Sequence, residues 1–260
     1  MMAGGTSTPG ATVVSRALSV LYAFDNTHRR LTVTEVARRA DLPVPTTHRL
    51  LRELVAGDAL VRGDDGRYAV GRRLWDIGQL APERTELRNA ASPFLSDIHA
   101  ATRATVHLAV RDGFEVLYLD RLSGRASVPV VSRTGSRLPL HATGVGKVLL
   151  AHAPEEVREC VLAGRLRRLT AHTVTHAGLL RQQLDGVRRD GYATTTDEMT
   201  LGACSIAVPV TRPAPADNTP AADPDVVAAL GIVVPTLKRA RTRLLTALQV
   251  AAQGIARNLQ

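Results

Sequence analysis

The chain has 260 residues, 45% of them hydrophobic and 22% charged, which is too long for one typical domain and rich enough in apolar residues for two cores. A formal net charge of +9 favours a polyanionic partner. The cysteines, Cys160 and Cys204, are too far apart and too few for a disulfide framework or a zinc finger.

Residues 1–11 are small and polar and are expected to form a flexible arm. They lack the apolar centre of a secretion signal, and no run in the chain reaches membrane-spanning length, so a cytoplasmic protein is expected. A first helix from about Thr12 to Asn26 places Val14, Leu18, Leu21 and Tyr22 on one stripe, read as the core-facing side. Thr32 and Glu35 then form a capping box, with Leu31 and Val36 as its hydrophobic staple, and predict a short helix to about Ala40. Asp41-Leu42 leaves room only for a tight turn before a longer helix that carries Pro43 and Pro45 in its first turn, where amides lack partners in any case. That helix has two faces. Thr47, Leu50, Leu51, Leu54 and Val55 follow the packing spacing, while Thr46, Arg49 and Arg52 offer hydroxyls and guanidinium forks suited to phosphates and base edges.

Two β-prone runs, Ala59 to Arg62 and Arg67 to Val70, flank the turn-rich Gly63-Asp64-Asp65-Gly66 and predict a hairpin wing. The DNA-facing set is therefore Thr34 on the capped helix, Pro45, Thr46, Thr47, His48, Arg49 and Arg52 on the second helix, and Arg62 and Arg67 in the wing. The winged helix-turn-helix is expected to span 12–71. A linker helix over 72–82 follows, with Leu74 and Ile77 on its apolar side, and the remaining 83–260 form a second domain. Pro82 should interrupt the helical run and Pro93 should kink or restart the next one.

Beyond Ala101 the apolar period changes from 3.6 to 2. Thr105 to Arg111 and Glu115 to Asp120, joined at Asp112-Gly113, predict a hairpin, with Val128 to Val131 as a possible third strand. Leu140 to Leu150 runs from a loop into a helix with Thr143 as N-cap. Glu155 to Leu162 and Leu179 to Asp190 read as helices, the latter ended by Gly191. Ser205 to Val210 and Val226 to Val234 are apolar enough for central strands, and the Pro/Ala/Asp-rich 212–225 between them reads as a long mobile loop. A helix from Leu237 to Leu259, with Lys238, Arg239, Arg241 and Arg243 at its start, closes the chain. The whole is an α+β chain.

Several stretches together carry a resemblance: Arg16-Ala17-Leu18, Leu42-Pro43 with Thr46 to Leu51, Pro139 to Lys147, and Arg188 to Ala193 leading to Glu198, Gly202 and Ile206 to Val210. Over nearly its whole length the chain resembles the isocitrate lyase regulator (IclR) family of bacterial transcription factors. The resemblance implies a winged helix-turn-helix, a linker helix, and a C-terminal effector domain with a GAF-like antiparallel sheet flanked by helices. It also implies double-stranded operator DNA as a partner, and homodimers that often pair into tetramers. It implies a small organic acid or aromatic catabolite as effector, held by Thr143, Gly144, Val145, Thr195, Ser205, Gly231 and Val233. Family members that bind small carboxylates tend to carry an Asp, a Cys and hydroxyl residues where this chain has Thr195, Ser205, Gly231 and Val233. Space at Gly231 and an apolar Val233 then suggest a ligand with one carboxylate and a bulkier apolar or aromatic body.

Other signals carry less. Gly144-Val145-Gly146-Lys147 lacks the P-loop glycine at His141 and the Ser or Thr at Val148, leaving only a capped helix start able to hold an anion. His172 and His176 are four apart without a zincin Glu, in a β-branched stretch read as a loop. Cys204-Ser205 has no strained elbow or assignable partner, so no enzymatic activity, cofactor or metal is expected. His107 and His141 could orient a ligand or a metal, but a lone His beside a sheet reads first as a satisfied structural residue. The rival reading is an architectural or partner-regulated DNA-binding protein whose second domain only oligomerises. A cavity bounded by Gly144, Thr195, Ser205 and Gly231 separates the two readings.

Overall fold

Local capping starts the first unit. Thr32 accepts the Glu35 amide through its hydroxyl, and the Glu35 carboxylate accepts the Thr32 amide at 2.7 Å, so the capping box opens α2 (Val33–Ala40). The computed structural model describes residues 12–25, 27–78, 80, 82–124, 128, 130–212, 225–238 and 240–259, the side chains of 82–84 excepted, and divides into compact units 1–85 and 86–260. The expected arm, and the expected loop apart from Arg212 and Asp225, lie outside the described residues, as does Arg239.

α1 (Val13–Tyr22), α2 and α3 (Val44–Ala56) enclose a core of Val20, Leu31, Val36, Leu50, Leu51 and Leu60. α1 corrects the sequence reading. Val14, Leu18 and Tyr22 are exposed, and the buried side is Val20 with Ala17 and Leu21 packed beside it. The stripe was misassigned because a short, largely apolar helix offers more than one plausible face to a periodicity argument. β1 (Leu60–Arg62) and β2 (Tyr68–Val70) pair antiparallel as the wing, followed by α4 (Arg72–Gly78), in which Leu74 is half-buried and Ile77 exposed.

As expected, Pro82 separates the helical run of α4 from the next helix, α5 (Pro82–Thr102), which it opens because a first-turn Pro has no amide bond to lose; α5 then runs through Pro93 without the expected break. β3 (Thr105–Asp112) and β4 (Glu115–Leu122) form the expected hairpin, with a register shift at Leu108/Ala109. The third strand is not Val128 to Val131, whose described residues are irregular, but β5 (Arg137–Pro139). After a 3-10 turn at Leu140–Ala142 come α6 (Gly144–Ala151), α7 (Glu155–Ala163) and α8 (Ala177–Asp190). β6 (Ala193–Thr196), β7 (Cys204–Thr211), β8 (Val226–Val234) and α9 (Arg241–Asn258) complete it.

The sheet order is β5-β4-β3-β8-β7-β6, antiparallel throughout. Alternation along the strands splits its apolar side chains between two cores. Val106, Leu108, Ile206, Leu230 and Ile232 face α5 and α9, whereas Ala109, Ala207 and Ala229 are small and let α6 lie close on the other face. No described helix is long and apolar enough to cross a membrane.

Candidate functional site

In the first unit α3 leaves Pro45, His48, Arg49 and Arg52 exposed and Thr46 half-exposed on its outer side. Thr34 is exposed on α2 and Arg62 on β1. Two expected members behave differently. Thr47 is fully buried and its hydroxyl donates to the Pro43 carbonyl at 3.1 Å, so it belongs to the packing stripe and is withdrawn from the DNA-facing set. Arg67 turns back toward α2, 3.3 Å from the Glu35 carboxylate and 3.4 Å from the Arg30 carbonyl, which ties the wing to the capping box. Arg62 lies over the Tyr68 ring at 5.7 Å. Arg49 and Arg52 show no hydrogen bond or ion pair among the described residues, so their forks remain open to an external anion.

In the second unit one pocket brings together all seven expected effector residues. Its floor is the α6 face of β7, β8 and β3, and its rim is α6 itself. Thr143 caps α6 by accepting the Gly146 amide at 3.1 Å, and Gly144 and Val145 of its first turn line the pocket. Thr195 and Ser205 share a 2.6 Å hydrogen bond. Gly144 is required by close approach, since a Cβ there would come within 2.5 Å of the Ser205 Oγ. Gly231 does not add the space expected of it. It sits in regular register, and a Cβ there would lie 2.7 Å from Val145 Cγ1, so the valine already fills that volume.

The opposite end is made by residues read as structural or not singled out at all. His107 Nε2 and Ser132 Oγ are 2.8 Å apart, and the His107 ring meets Tyr118 edge-on at 5.0 Å. Burial, and next the Arg121 charge, push the His107 pKa down to about 3, so the ring is neutral. Burial likewise pushes the Tyr118 phenol up, against a hydrogen bond from Thr143, and keeps it protonated. Val130, Val131, Met199 and Val233 supply apolar wall. The pocket thus combines neutral hydroxyl, phenol and imidazole groups with apolar walls.

Lys147 settles the P-loop question. It is 1% exposed and pairs with Glu198 at 2.5 Å, turned into the protein instead of toward any phosphate. Burial holds its pKa below the ordinary lysine value, with the Glu198 charge opposing. The Glu198 carbonyl accepts the Thr173 hydroxyl at 2.7 Å, and the next residues, Met199 and Thr200, line the pocket. The pair therefore fastens the 197–203 loop to α6. His141 Nε2 lies 3.0 Å from the Arg167 carbonyl, a structural contact. His172 and His176 lie outside regular structure, and among the described residues no group of three or more His, Cys, Asp or Glu could hold a metal ion.

Comparison with known proteins decides the family. The model for the bacterial transcriptional regulator IclR C-terminal domain matches residues 79–257, and that for the IclR helix-turn-helix domain matches 13–64. The chain belongs to the IclR family. Among curated relatives it is 32% identical to the HTH-type transcriptional regulator KdgR of Dickeya chrysanthemi over 76% of this chain and 65% of that protein, so it spans under two thirds of that relative. It is also 32% identical to the HTH-type transcriptional regulator XynR of Escherichia coli K12, over 76% and 79%. Among solved structures, an IclR homolog from Microbacterium hydrocarbonoxydans complexed with 4-hydroxybenzoate superposes with a TM-score of 0.87, at 35% identity, over 95% of this chain and 99% of that one.

As an IclR-family member the chain is a DNA-binding transcriptional regulator with a C-terminal ligand-binding domain. Sequence reasoning ranked His107 as structural before ligand-orienting and did not single out Tyr118, Ser132 or Met199, all of which line the pocket. For His107 a signal was available: a polar ring at an inward position of a strand otherwise apolar on that face, across the sheet from Gly231. Ser132 and Met199 come from loops, where no period marks the inward side.

Proposed function

We propose that this chain is a ligand-responsive regulator in which a small organic acid or aromatic catabolite occupies the pocket of the second unit and changes operator binding by the first. The pocket itself carries this reading, because Gly144, Thr195, Ser205 and Gly231 bound a cavity where a purely oligomerising domain would have packed side chains. Its apolar walls suit an aromatic body, and the solved neighbour at 35% identity holds an aromatic acid, 4-hydroxybenzoate. Thr34, Pro45, Thr46, His48, Arg49, Arg52 and Arg62 face double-stranded operator DNA, with Arg67 acting chiefly to hold the wing. The protein works in the cytoplasm as a homodimer, or as a pair of dimers, on a pseudo-palindromic site. The linker over 72–82 joins the reader at 12–71 to the effector domain at 83–260, and coupling of about 1 to 3 kcal/mol is expected. The effector is released chemically unchanged.

A thermal-shift screen of small organic acids and aromatic catabolites, 4-hydroxybenzoate included, tests this. A ligand at a hundred times its Kd should stabilise the protein by about 2.7 kcal/mol. The same ligand should shift operator affinity in a gel-retardation titration. Stabilisation by none of them, or binding without any change in operator affinity, refutes the reading.

A further inference from the structure

Strand register sets an unmatched charge beside the pocket. Arg121 on β4 stands directly across from His107 on β3, and cross-strand partners project from the same face of a sheet. His107 and Ser132 both line the pocket, so Arg121 lies on the pocket face just beyond them. Its side chain is partly buried and its Nε is enclosed without a hydrogen-bond partner. Its guanidinium has no ion pair among the described residues, and the charge that faces it is that of Arg133. The stretch from 121 to 133 contains Arg121, Arg125 and Arg133 and no Asp or Glu, so it cannot supply a counter-ion. Asp120, the adjacent carboxylate, points by strand alternation to the other face and lies 3.5 Å from Arg88.

Elsewhere the protein pairs its enclosed cations. Lys147 has Glu198 and Arg39 has Asp25. A partly desolvated guanidinium with a like charge beside it is costly until an anion arrives. The start of α6 offers about half a unit charge. Of the hydroxyls beside it, Thr143 is turned to the Pro139 carbonyl and the Gly146 amide, and Thr195 and Ser205 share one bond that leaves them a single neutral donor between them. A whole unpaired charge with bidentate geometry outweighs that.

We propose that Arg121, with Arg133 outside it, receives the anionic group of the effector, and that the Thr195 and Ser205 end takes the neutral end of the same molecule. This rests on the reading that the pocket holds an organic acid, and it reverses the orientation expected from the α6 start alone.

The test is calorimetric titration of the full chain with three acids, benzoate, 4-hydroxybenzoate and phenylacetate, and with the uncharged amide of each. The wild type should prefer acid over amide. Arg121→Gln should weaken acid binding about tenfold or more and leave amide binding within about twofold, with a smaller loss for Arg133→Gln. An acid preference that survives Arg121→Gln, or equal losses for acid and amide, overturns the assignment of Arg121 while leaving the pocket reading intact. If no acid binds the wild type, the acid-effector reading falls and this inference falls with it.

Discussion

The outer face of α3 and the interior beside the pocket of the second unit both carry cations and treat them in opposite ways. Arg49 and Arg52 stand exposed without partners among the described residues, because water solvates a guanidinium at little cost until a phosphate or base edge replaces it. Lys147, by contrast, is 1% exposed and is matched by Glu198 at 2.5 Å. A charge kept for an external partner must stay wet, and a charge placed in the core must bring its partner with it. Arg121 lies between these cases, partly buried and without an ion pair among the described residues, which is why it points to a ligand.

The largest expected effect tests the enclosed half of that comparison. Glu198→Ala leaves a buried ammonium alone and should destabilise the second unit by about 3 to 5 kcal/mol, whereas the double variant Lys147→Met with Glu198→Met should be near neutral. Urea unfolding measures both, and a single variant as stable as the wild type would mean the pair is solvated. Ligand affinity should fall in the double variant even with stability retained, since the 197–203 loop loses its fastening to α6.

A somewhat smaller effect comes from His107. Its folded pKa, about 3, lies below its ordinary 6.5, so the unfolded chain binds the extra proton between those values. The resulting stability is complete above pH 6.5 and is lost as pH falls toward 3, at up to about 1.4 kcal/mol per pH unit. Unfolding midpoints followed from pH 7 to 4.5 should show this slope in the wild type and a flatter one in His107→Gln. Equal slopes would show that His107 is not desolvated.

The exposed half is tested on DNA. Arg49→Ala should cost about 1 to 3 kcal/mol on the operator and relax preference at one base position. Arg67→Ala should cost less in affinity and also loosen the wing, because its guanidinium is partly spent on Glu35. Equal, sequence-independent losses from both variants would remove Arg49 from base reading. Smallest is the cap of α2: Thr32→Ala should cost about 1 kcal/mol of stability, measured by urea unfolding, and change operator affinity little. No change in stability would show that this cap bond contributes nothing.

Much of the first unit was legible because its signals are local. The capping box of Thr32 and Glu35, the first-turn prolines of α3 and the turn at Gly63 to Gly66 each act within four residues, so reading the chain sufficed. Thr47 shows the limit. It fell within the packing spacing and also looked like a hydroxyl for DNA, and only its burial against Pro43 decided between the two. In α1 apolar residues on several sides make the period ambiguous until neighbours exist to bury one of them, here Val20 with Ala17 and Leu21.

The sequence by itself determined the α+β organisation, the helix-turn-helix and wing, and the family, whose resemblance named Thr143, Gly144, Thr195 and Ser205, residues that the fold brings to one pocket. Tertiary structure alone decided that Val145 occupies the space over Gly231, that Arg67 is tied to Glu35, and that Lys147 is buried on Glu198. It also decided that Arg121 stands beside His107 on the pocket face. The reason is one of range: caps, turns and amphipathic periods are short-range effects of backbone geometry, whereas which side chain fills a gap or neutralises a charge depends on residues tens of positions away, brought together only when strands pair and helices pack.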